Sequence, residues 1–112
     1  MHRVLVIAPD LDLRRSLQFA LEVEGYDVTW RASIAATELP HDYDCTVVDH
    51  HALGNDRAAA ETFLRAFRPS ILLANKPHDL SAAAFRTILK PHLGAALTGA
   101  IREAIETRMT TT

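Results

Sequence analysis

Three short apolar runs restrict the fold of this chain more than any other feature. The runs "RVLVIA" at 3–8, "CTVV" at 45–48 and "SILLA" at 70–74 are rich in β-branched and aliphatic residues and show no regular polar alternation. Strands of this kind are buried on both faces, as in a parallel sheet that helices cover on each side. We therefore expect an interior parallel sheet rather than an antiparallel sheet with one wet face.

The first interval between these runs predicts a helix followed by an edge strand. At 11–24 the apolar residues recur on one helical face, Asp10 precedes them as a candidate N-cap, and Gly25 follows at a position that often ends a helix. The alternating stretch "YDVTWR" at 26–31 is typical of a half-exposed strand. A short helix is expected at 33–39, before Pro40.

The remaining intervals continue the alternation of strand and helix. Asn55 or Asp56 can cap a helix over 55–67, whose inward side is expected to hold Ala59, Phe63 and Phe67. The later elements are predicted to be at most two helical turns at 79–85, a short strand at 87–89 and a closing helix at 93–108 with Leu97, Ile101 and Ile105 inward.

Five strands alternating with helices predict an α/β fold, a doubly wound parallel sheet with helices on both faces. The length of 112 residues allows one such domain. Functional sites of these sheets lie at the carboxyl ends of the strands, near the topological switch point. The residues expected there are Ala8, Pro9, Asp49, Ala74, Asn75 and Lys90.

Composition excludes several other classes of protein. A net charge of −2 with scattered arginines argues against nucleic-acid binding by this domain alone. No apolar run approaches the about 20 residues that cross a bilayer, and Met1 to Ala8 lacks the features of a signal peptide, so we expect a cytoplasmic protein without membrane contact. The single cysteine, Cys45, excludes a disulfide scaffold and is expected to be a buried, inert thiol.

Three stretches carry a resemblance to a known family. "VLVIAPDLDLRRSLQFALEVEGYDV", "TVVDHHALG" and "ILKPHL" resemble, in this order, parts of the receiver domain of response regulators, the phosphoacceptor module of two-component signalling. The resemblance implies a CheY-like or flavodoxin-like fold with strand order 2-1-3-4-5. It places Asp49 at the phosphoacceptor position and Lys90 at the family's lysine. Pro91 stands at a proline whose peptide bond is commonly cis in that family.

The chain departs from the family at several of the positions that carry its chemistry. Ala8 and Pro9 stand where the family has two acidic residues, Ala74 where it has Ser or Thr, and Thr87 where it has an aromatic residue. Helices 2–4 of the family pattern are expected to be shortened, because only sixteen positions separate Ala74 from Lys90. We interpret the chain as an atypical, degenerate receiver. The expected pocket residues are Ala8, Pro9, Asp10, Ala74, Asn75, Thr87 and Pro91.

The missing acidic pair changes the charge of the expected site. In a complete receiver three carboxylates and one lysine sum to −2, which one Mg²⁺ neutralises, whereas Asp49 and Lys90 alone sum to zero. We therefore predict a direct Asp49–Lys90 pair and no resident cofactor, with Mg²⁺ weak or absent. Asp10 and Asp49 are weak candidates for a metal, although a first-turn aspartate more often caps its helix.

These considerations predict a receiver-like domain at 1–108, with 109–112 as a tail or the start of a linker, that works without catalysis by binding a protein. Resemblance to the family suggests a histidine kinase, an effector or a second copy as partner, through the surface of the fourth helix, fifth strand and last helix. The alternative is a receiver that is phosphorylated on Asp49 with non-standard metal coordination and controls an output domain beyond Thr112.

The letters "DHH" at 49–51, with "DLD" at 10–12, also resemble the DHH phosphoesterases, which hold two manganese ions. That similarity gives a remote alternative, a fragment of a metal-dependent hydrolase. Successive residues of a strand point to opposite faces, so Asp49 and His50 are expected to diverge unless the strand ends at Asp49. His50 and His51 are predicted to be solvated loop residues, and no further ligands are expected at metal spacing.

Overall fold

A five-stranded parallel sheet forms the centre of the protein. The computed structural model describes residues 2–36, 43–67, 69–75, 80, 83–90 and 94–110. The strands are β1 (Arg3–Ile7), β2 (Asp27–Arg31), β3 (Cys45–Asp49), β4 (Ser70–Ala74) and β5 (Arg86–Leu89). The α-helices of the described residues are α1 (Leu11–Val23), α2 (Arg57–Ala66) and α3 (Gly94–Thr110).

The strand order is β2-β1-β3-β4-β5, and each pair of neighbours is parallel. The predicted order 2-1-3-4-5 is therefore confirmed. All five residues of β3 and all five of β4 are buried, which fits strands covered on both faces. The register places Ile7 opposite Val48 and Asp49 opposite Leu73, so the carboxyl ends of the three inner strands lie side by side.

The side chains of each inner strand divide between two apolar layers. Val4 and Val6 of β1 pack on one face of the sheet, with residues of α1 and α3. Leu5 and Ile7 pack on the opposite face, with residues of α2. The layer beneath α3 contains the three residues predicted to face inward: Leu97, Ile101 and Ile105. Helices on both faces of a parallel sheet make this a doubly wound α/β fold, as predicted.

Both predicted ends of α1 are confirmed. The Asp10 carboxylate accepts a hydrogen bond from the Asp12 backbone N–H at 2.9 Å and so caps the helix. After the helix, Gly25 has φ +91°, a left-handed conformation that other residues rarely adopt. The turn carries the chain directly into β2 at the edge of the sheet.

The inward face of α2 differs from the prediction. Its N-cap is Asp56, whose carboxylate accepts from the Ala59 N–H at 3.1 Å. The helix then buries Ala60 and Leu64, one turn apart, while Ala59 is exposed, so the assignment of Ala59 to the core was wrong. Phe67 is buried and Phe63 stacks on it, as predicted. The α-helical period fixes which residues share a face, and the face that meets the sheet contains Ala60 and Leu64 rather than Ala59.

The connections carry less regular structure than the helices. Ile34–Ala36 forms a 3₁₀ turn, while residues 37–39 of the helix expected at 33–39 and residues 79, 81 and 82 of the one expected at 79–85 lie outside the described residues. The last helix runs to Thr110, two residues into the expected tail. No helix within the described ranges combines the length and apolar character needed to cross a bilayer.

Candidate functional site

Asp49 is the polar residue that ends the central strand β3, and its side chain is only 1% exposed. An ionised carboxylate at this depth requires a counter-charge, because transfer of an isolated charge out of water is costly. The backbone N–H groups that follow do not supply compensation, since the Asp49 side chain does not cap the turn after the strand. The counter-charge must come from another side chain.

Lys90 supplies the counter-charge. Its Nζ lies 2.7 Å from Asp49 Oδ1, and its side chain is 19% exposed. The lysine follows β5, and its backbone N–H donates to the Ala74 carbonyl at 2.8 Å, which extends the pairing of β5 with β4 by one residue. Because β4 lies between β3 and β5, the lysine side chain reaches over the tip of β4. There the small side chain of Ala74 places little bulk in its path.

The second oxygen of Asp49 faces a histidine. His51 Nδ1 lies 3.5 Å from Asp49 Oδ2, and the His51 side chain is 57% exposed. Although Lys90 is close to Oδ1, neither carboxylate oxygen accepts a hydrogen bond of acceptable angle from the described residues. At 2.7 Å the ammonium group nevertheless neutralises the carboxylate, because Coulomb attraction does not depend on bond direction.

The expected divergence of Asp49 and His50 depended on a strand that continues past Asp49, and the strand does not continue. The strand ends at Asp49 and a 3₁₀ turn, His50–Ala52, begins at once, so strand alternation no longer applies. The turn brings the two imidazole rings to 3.9 Å between centroids. One ligand atom each from Asp49, His50 and His51 lies within 4.8 Å of the others. A three-residue cluster of potential metal ligands exists where none was expected.

The tip of β1 is apolar and its backbone groups are occupied. Ala8 is fully buried, and its N–H donates to the Arg31 carbonyl at 3.0 Å. The Ala8 carbonyl accepts from the Trp30 indole N–H at 3.2 Å. The Arg14 guanidinium lies over the Trp30 ring, 3.4 Å from its centroid, in a cation–π contact. Sequence patterns gave no sign that Trp30 and Arg14 would close this tip.

The other predicted pocket residues are spread around the strand tips. Pro9 is exposed, and Asp10 is committed to capping α1. Ala74 is buried, Asn75 is exposed, and Thr87 is partly exposed on β5 opposite Leu72 of β4. Pro91 lies outside the described residues. The structure thus brings Asp49 and Lys90 into contact, with Ala74 between their strands, and joins His51 to them.

Comparison with known proteins identifies one curated relative and many similar structures. No family model matches the chain. The transcriptional regulator protein FixT of Rhizobium meliloti (strain 1021) is 34% identical over 105 residues, which cover 91% of each chain. A response regulator receiver domain protein from Clostridium thermocellum superposes with a TM-score of 0.82 and 21% identity over 100% of both chains. The response regulator TrrA of Thermotoga maritima, described in complex with Mg²⁺-BeF, has a TM-score of 0.79 and 21% identity, covering 93% of this chain and 99% of its own.

The residues of this chain do not fit a magnesium ion of the kind that the TrrA complex contains. Mg²⁺ requires near-octahedral oxygen ligands, usually including one or two carboxylates. Ala8 and Pro9 offer none, the Ala8 carbonyl already accepts from Trp30, and Asp10 caps its helix. The remaining carboxylate, Asp49, already faces an ammonium group. The disagreement concerns the ligands and not the fold.

Proposed function

Because this chain belongs to the response-regulator receiver family of two-component signalling, we propose that it acts by binding a protein partner, without Mg²⁺-dependent phosphorylation. It is then an atypical receiver in which Asp49 keeps a structural and electrostatic role. We place this activity in the cytoplasm, where the kinases and effectors of such pathways act on receivers. The proposal concerns how the receiver works, since membership of the family is given by the relatives.

The observation that carries the proposal is the contact of 2.7 Å between Lys90 Nζ and the buried Asp49. Phosphoryl transfer to a carboxylate depends on positioning and on neutralisation of the developing negative charge. A lysine that already neutralises Asp49 leaves the site without the excess negative charge that attracts Mg²⁺. It also stabilises the carboxylate in its resting state, which lowers its reactivity as a nucleophile.

The tip of β1 supports the same proposal independently. The family's acidic pair would supply metal ligands from this tip, whereas here the tip is held by the Trp30 hydrogen bond to Ala8 and by Arg14 on the indole. Asp10 is the nearest acid in sequence, but capping of α1 directs its carboxylate to the Asp12 N–H at 2.9 Å. Moving Asp10 to a metal would cost the helix its cap, which is worth about 1 kcal/mol.

A protein partner fits the chemistry of the chain better than DNA does. The FixT relative is described as a transcriptional regulator, yet this chain carries a net charge of −2. Direct binding to DNA requires a concentration of lysine and arginine that neutralises phosphates. We therefore propose that any effect on transcription passes through a histidine kinase, an effector or a second copy of this chain.

The surface that we assign to the partner lies on β5 and α3. Arg86 of β5 forms an ion pair with Glu103 of α3 at 2.6 Å, which ties the strand to the helix at the surface. Leu89, at the end of β5, is 40% exposed. Arg102 of α3 is also exposed and approaches Glu24 at 3.7 Å. An exposed leucine among charged side chains is typical of the rim and anchor of a protein interface.

Phosphotransfer measured by intact mass tests the proposed chemistry. The wild-type chain is incubated with acetyl phosphate or phosphoramidate, with and without Mg²⁺, beside a receiver of known activity. We expect no mass increase of one phosphoryl group, and no saturable change of Trp30 fluorescence with Mg²⁺ and beryllofluoride. A phosphoryl adduct that forms with Mg²⁺ and disappears in Asp49→Ala would overturn the proposal and establish the alternative of a phosphorylated receiver with unusual metal coordination.

Binding to kinases tests the partner surface. The chain is used as bait against the histidine kinases of its source organism, purified one at a time, and affinity is measured for wild type, Leu89→Glu and Phe19→Glu. Phe19 is 72% exposed on α1, so its substitution introduces the same charge at another exposed apolar residue. We expect the Leu89 variant to bind at least tenfold more weakly and the Phe19 variant to bind normally. The opposite pattern would contradict the assignment to β5 and α3.

A further inference from the structure

The cluster Asp49, His50 and His51 has the donor set of a transition-metal site. It contains one carboxylate and two imidazoles, and all three chosen ligand atoms lie within 4.8 Å of one another. Burial decreases along the cluster, from buried Asp49 through half-buried His50 to exposed His51. A site of this form has one anchored ligand and one that can adjust to an incoming ion.

The separation of two of these atoms already matches tetrahedral coordination. Zinc bonds to imidazole nitrogen and carboxylate oxygen are about 2.0–2.2 Å long, which places neighbouring ligand atoms about 3.4 Å apart in a tetrahedron. Asp49 Oδ2 and His51 Nδ1 are 3.5 Å apart. The three atoms lie within 4.8 Å of one another, so the wider separations must shorten by at most about 1.4 Å on this basis. Rotation of the exposed His51 side chain, which borders a cavity of about 440 Å³, allows such an adjustment.

We propose that Asp49, His50 and His51 bind a borderline-soft divalent ion, of which Zn²⁺ is the best match, with water or an anion in the fourth position. Neutral imidazole nitrogens suit Zn²⁺, Co²⁺ and Ni²⁺, whereas Mg²⁺ prefers oxygen. The loss of the acidic pair at the tip of β1 therefore disfavours Mg²⁺ without disfavouring zinc. This site is distinct from the magnesium site implied by the family, with which it shares only Asp49.

Lys90 and the proposed zinc ion contact different oxygens of the Asp49 carboxylate. The ammonium group lies 2.7 Å from Oδ1, while His51 faces Oδ2, so zinc binding does not require Lys90 to leave. Neither oxygen accepts a hydrogen bond of acceptable angle from the described residues, so coordination of Oδ2 would not break one. The charges of Asp49, Lys90 and Zn²⁺ sum to +2. An open coordination position in such a site favours an anionic group.

Calorimetry with zinc tests the site on the untagged chain. ZnCl₂ is titrated into wild type, His51→Ala, His50→Ala and His2→Ala, in a buffer that does not chelate metals. His2 pairs with Asp44 at 3.5 Å and so provides a matched imidazole–carboxylate pair elsewhere in the protein. We expect one zinc ion per chain, a dissociation constant raised at least tenfold in each of the His50 and His51 variants, and no change in the His2 variant. MgCl₂ should give no binding heat.

Cobalt spectroscopy provides a readout that depends on geometry. Co²⁺ bound in place of zinc should give the intense visible bands of tetrahedral coordination, displaced by zinc and absent in His51→Ala. His51 is exposed, so its substitution should leave the thermal unfolding transition of the metal-free chain unchanged. Absence of saturable zinc binding by wild type, or equal zinc affinity in wild type and His51→Ala, would overturn the proposal. Neither result bears on kinase binding, so this test is separable from that of the proposed function.

Discussion

The carboxyl ends of β1 and β3 are both buried, but only the end of β3 buries a charge. At the tip of β1, Ala8 is buried without charge, and its backbone groups bond to Arg31 and to the Trp30 indole. At the tips of β3 and β5, a buried carboxylate faces an ammonium group at 2.7 Å. The carboxyl end of β1 therefore has no buried charge to neutralise, whereas Lys90 neutralises the buried charge at the carboxyl ends of β3 and β5.

The receiver fold of this chain therefore does not depend on the acidic pair that binds magnesium in the family. The sheet order, the two apolar layers and the cap of α1 are all formed in their absence. The fold of this chain thus forms without the family's acidic pair. What remains at the strand tips is the charge-neutral pair of Asp49 and Lys90.

Removal of Lys90 should give the largest effect. Lys90→Met leaves the 1% exposed Asp49 carboxylate without its ammonium partner, and uncompensated buried charges of this kind cost about 3–5 kcal/mol. Urea denaturation followed by circular dichroism should show this loss in the free energy of unfolding.

The double variant Asp49→Asn, Lys90→Met is the control for that experiment. With both charges removed, it should recover most of the stability, because no buried charge remains. Equal destabilisation in the single and double variants would mean that the lysine stabilises the fold by packing alone and not by neutralising a buried charge.

The second prediction concerns the amino end of β3. This end of the strand buries a neutral group, whereas the carboxyl end buries a charge. Burial raises the pKa of the Cys45 thiol to about 12, while in the unfolded chain it is about 8.5. Between these values the folded chain holds a proton that the unfolded chain has lost, so stability falls as pH rises. From pH 9 to 11 the wild type should lose about 2 kcal/mol more than Cys45→Ala. Identical pH profiles would show that the thiol ionises freely in the fold.

An acidic residue introduced at the carboxyl end of β1 should allow Mg²⁺ to bind at the strand tips. Pro9 is exposed, so Pro9→Asp adds a carboxylate without disturbing the core. We expect Mg²⁺ at about ten times its dissociation constant to stabilise this variant by about 1.4 kcal/mol and to leave wild type unchanged. Thermal unfolding with and without Mg²⁺ measures the effect, and Pro9→Asn controls for the loss of proline. Stabilisation of wild type by Mg²⁺ would contradict the prediction that the wild-type site is neutral and does not bind this ion.

The smallest expected effect concerns Trp30. Trp30→Phe keeps a ring beneath Arg14 but removes the indole N–H that bonds to Ala8 at 3.2 Å. A hydrogen bond of this kind contributes about 0.5–1.5 kcal/mol, and we expect a loss near the lower end because the site is partly open to water. Amide chemical shifts at Ala8 and Arg31 should move, while those at Asp49 stay in place.

Sequence patterns predicted the fold because the fold follows from local signals that agree with one another. The continuous apolar runs defined the inner strands, Asp10 and Gly25 defined the ends of α1, and the order of the elements defined the sheet. The contact of Asp49 with Lys90 was also predictable, because parallel strands bring their carboxyl ends to one edge. Ala59 was misplaced because the run of three alanines at 58–60 does not indicate which of them faces the sheet.

The rest of the site depended on geometry that sequence patterns do not specify. The position of His51 follows from the residue at which β3 ends and the 3₁₀ turn begins, and the sequence does not specify that residue. The closure of the β1 tip by Trp30 and Arg14 joins residues from β2 and α1 through side-chain contacts. The stretch that resembles the receiver family includes Arg14, but no sequence pattern indicated a contact between Arg14 and Trp30.

A crystal structure of the wild-type protein grown with magnesium and beryllofluoride can show directly whether Asp49 binds Mg²⁺. We predict Lys90 Nζ within hydrogen-bonding distance of Asp49, no octahedral ion beside the carboxylate, and no fluoride adduct on it. An octahedral magnesium ion bonded to Asp49, with Lys90 turned away from it, would show that the Asp49–Lys90 pair does not exclude magnesium.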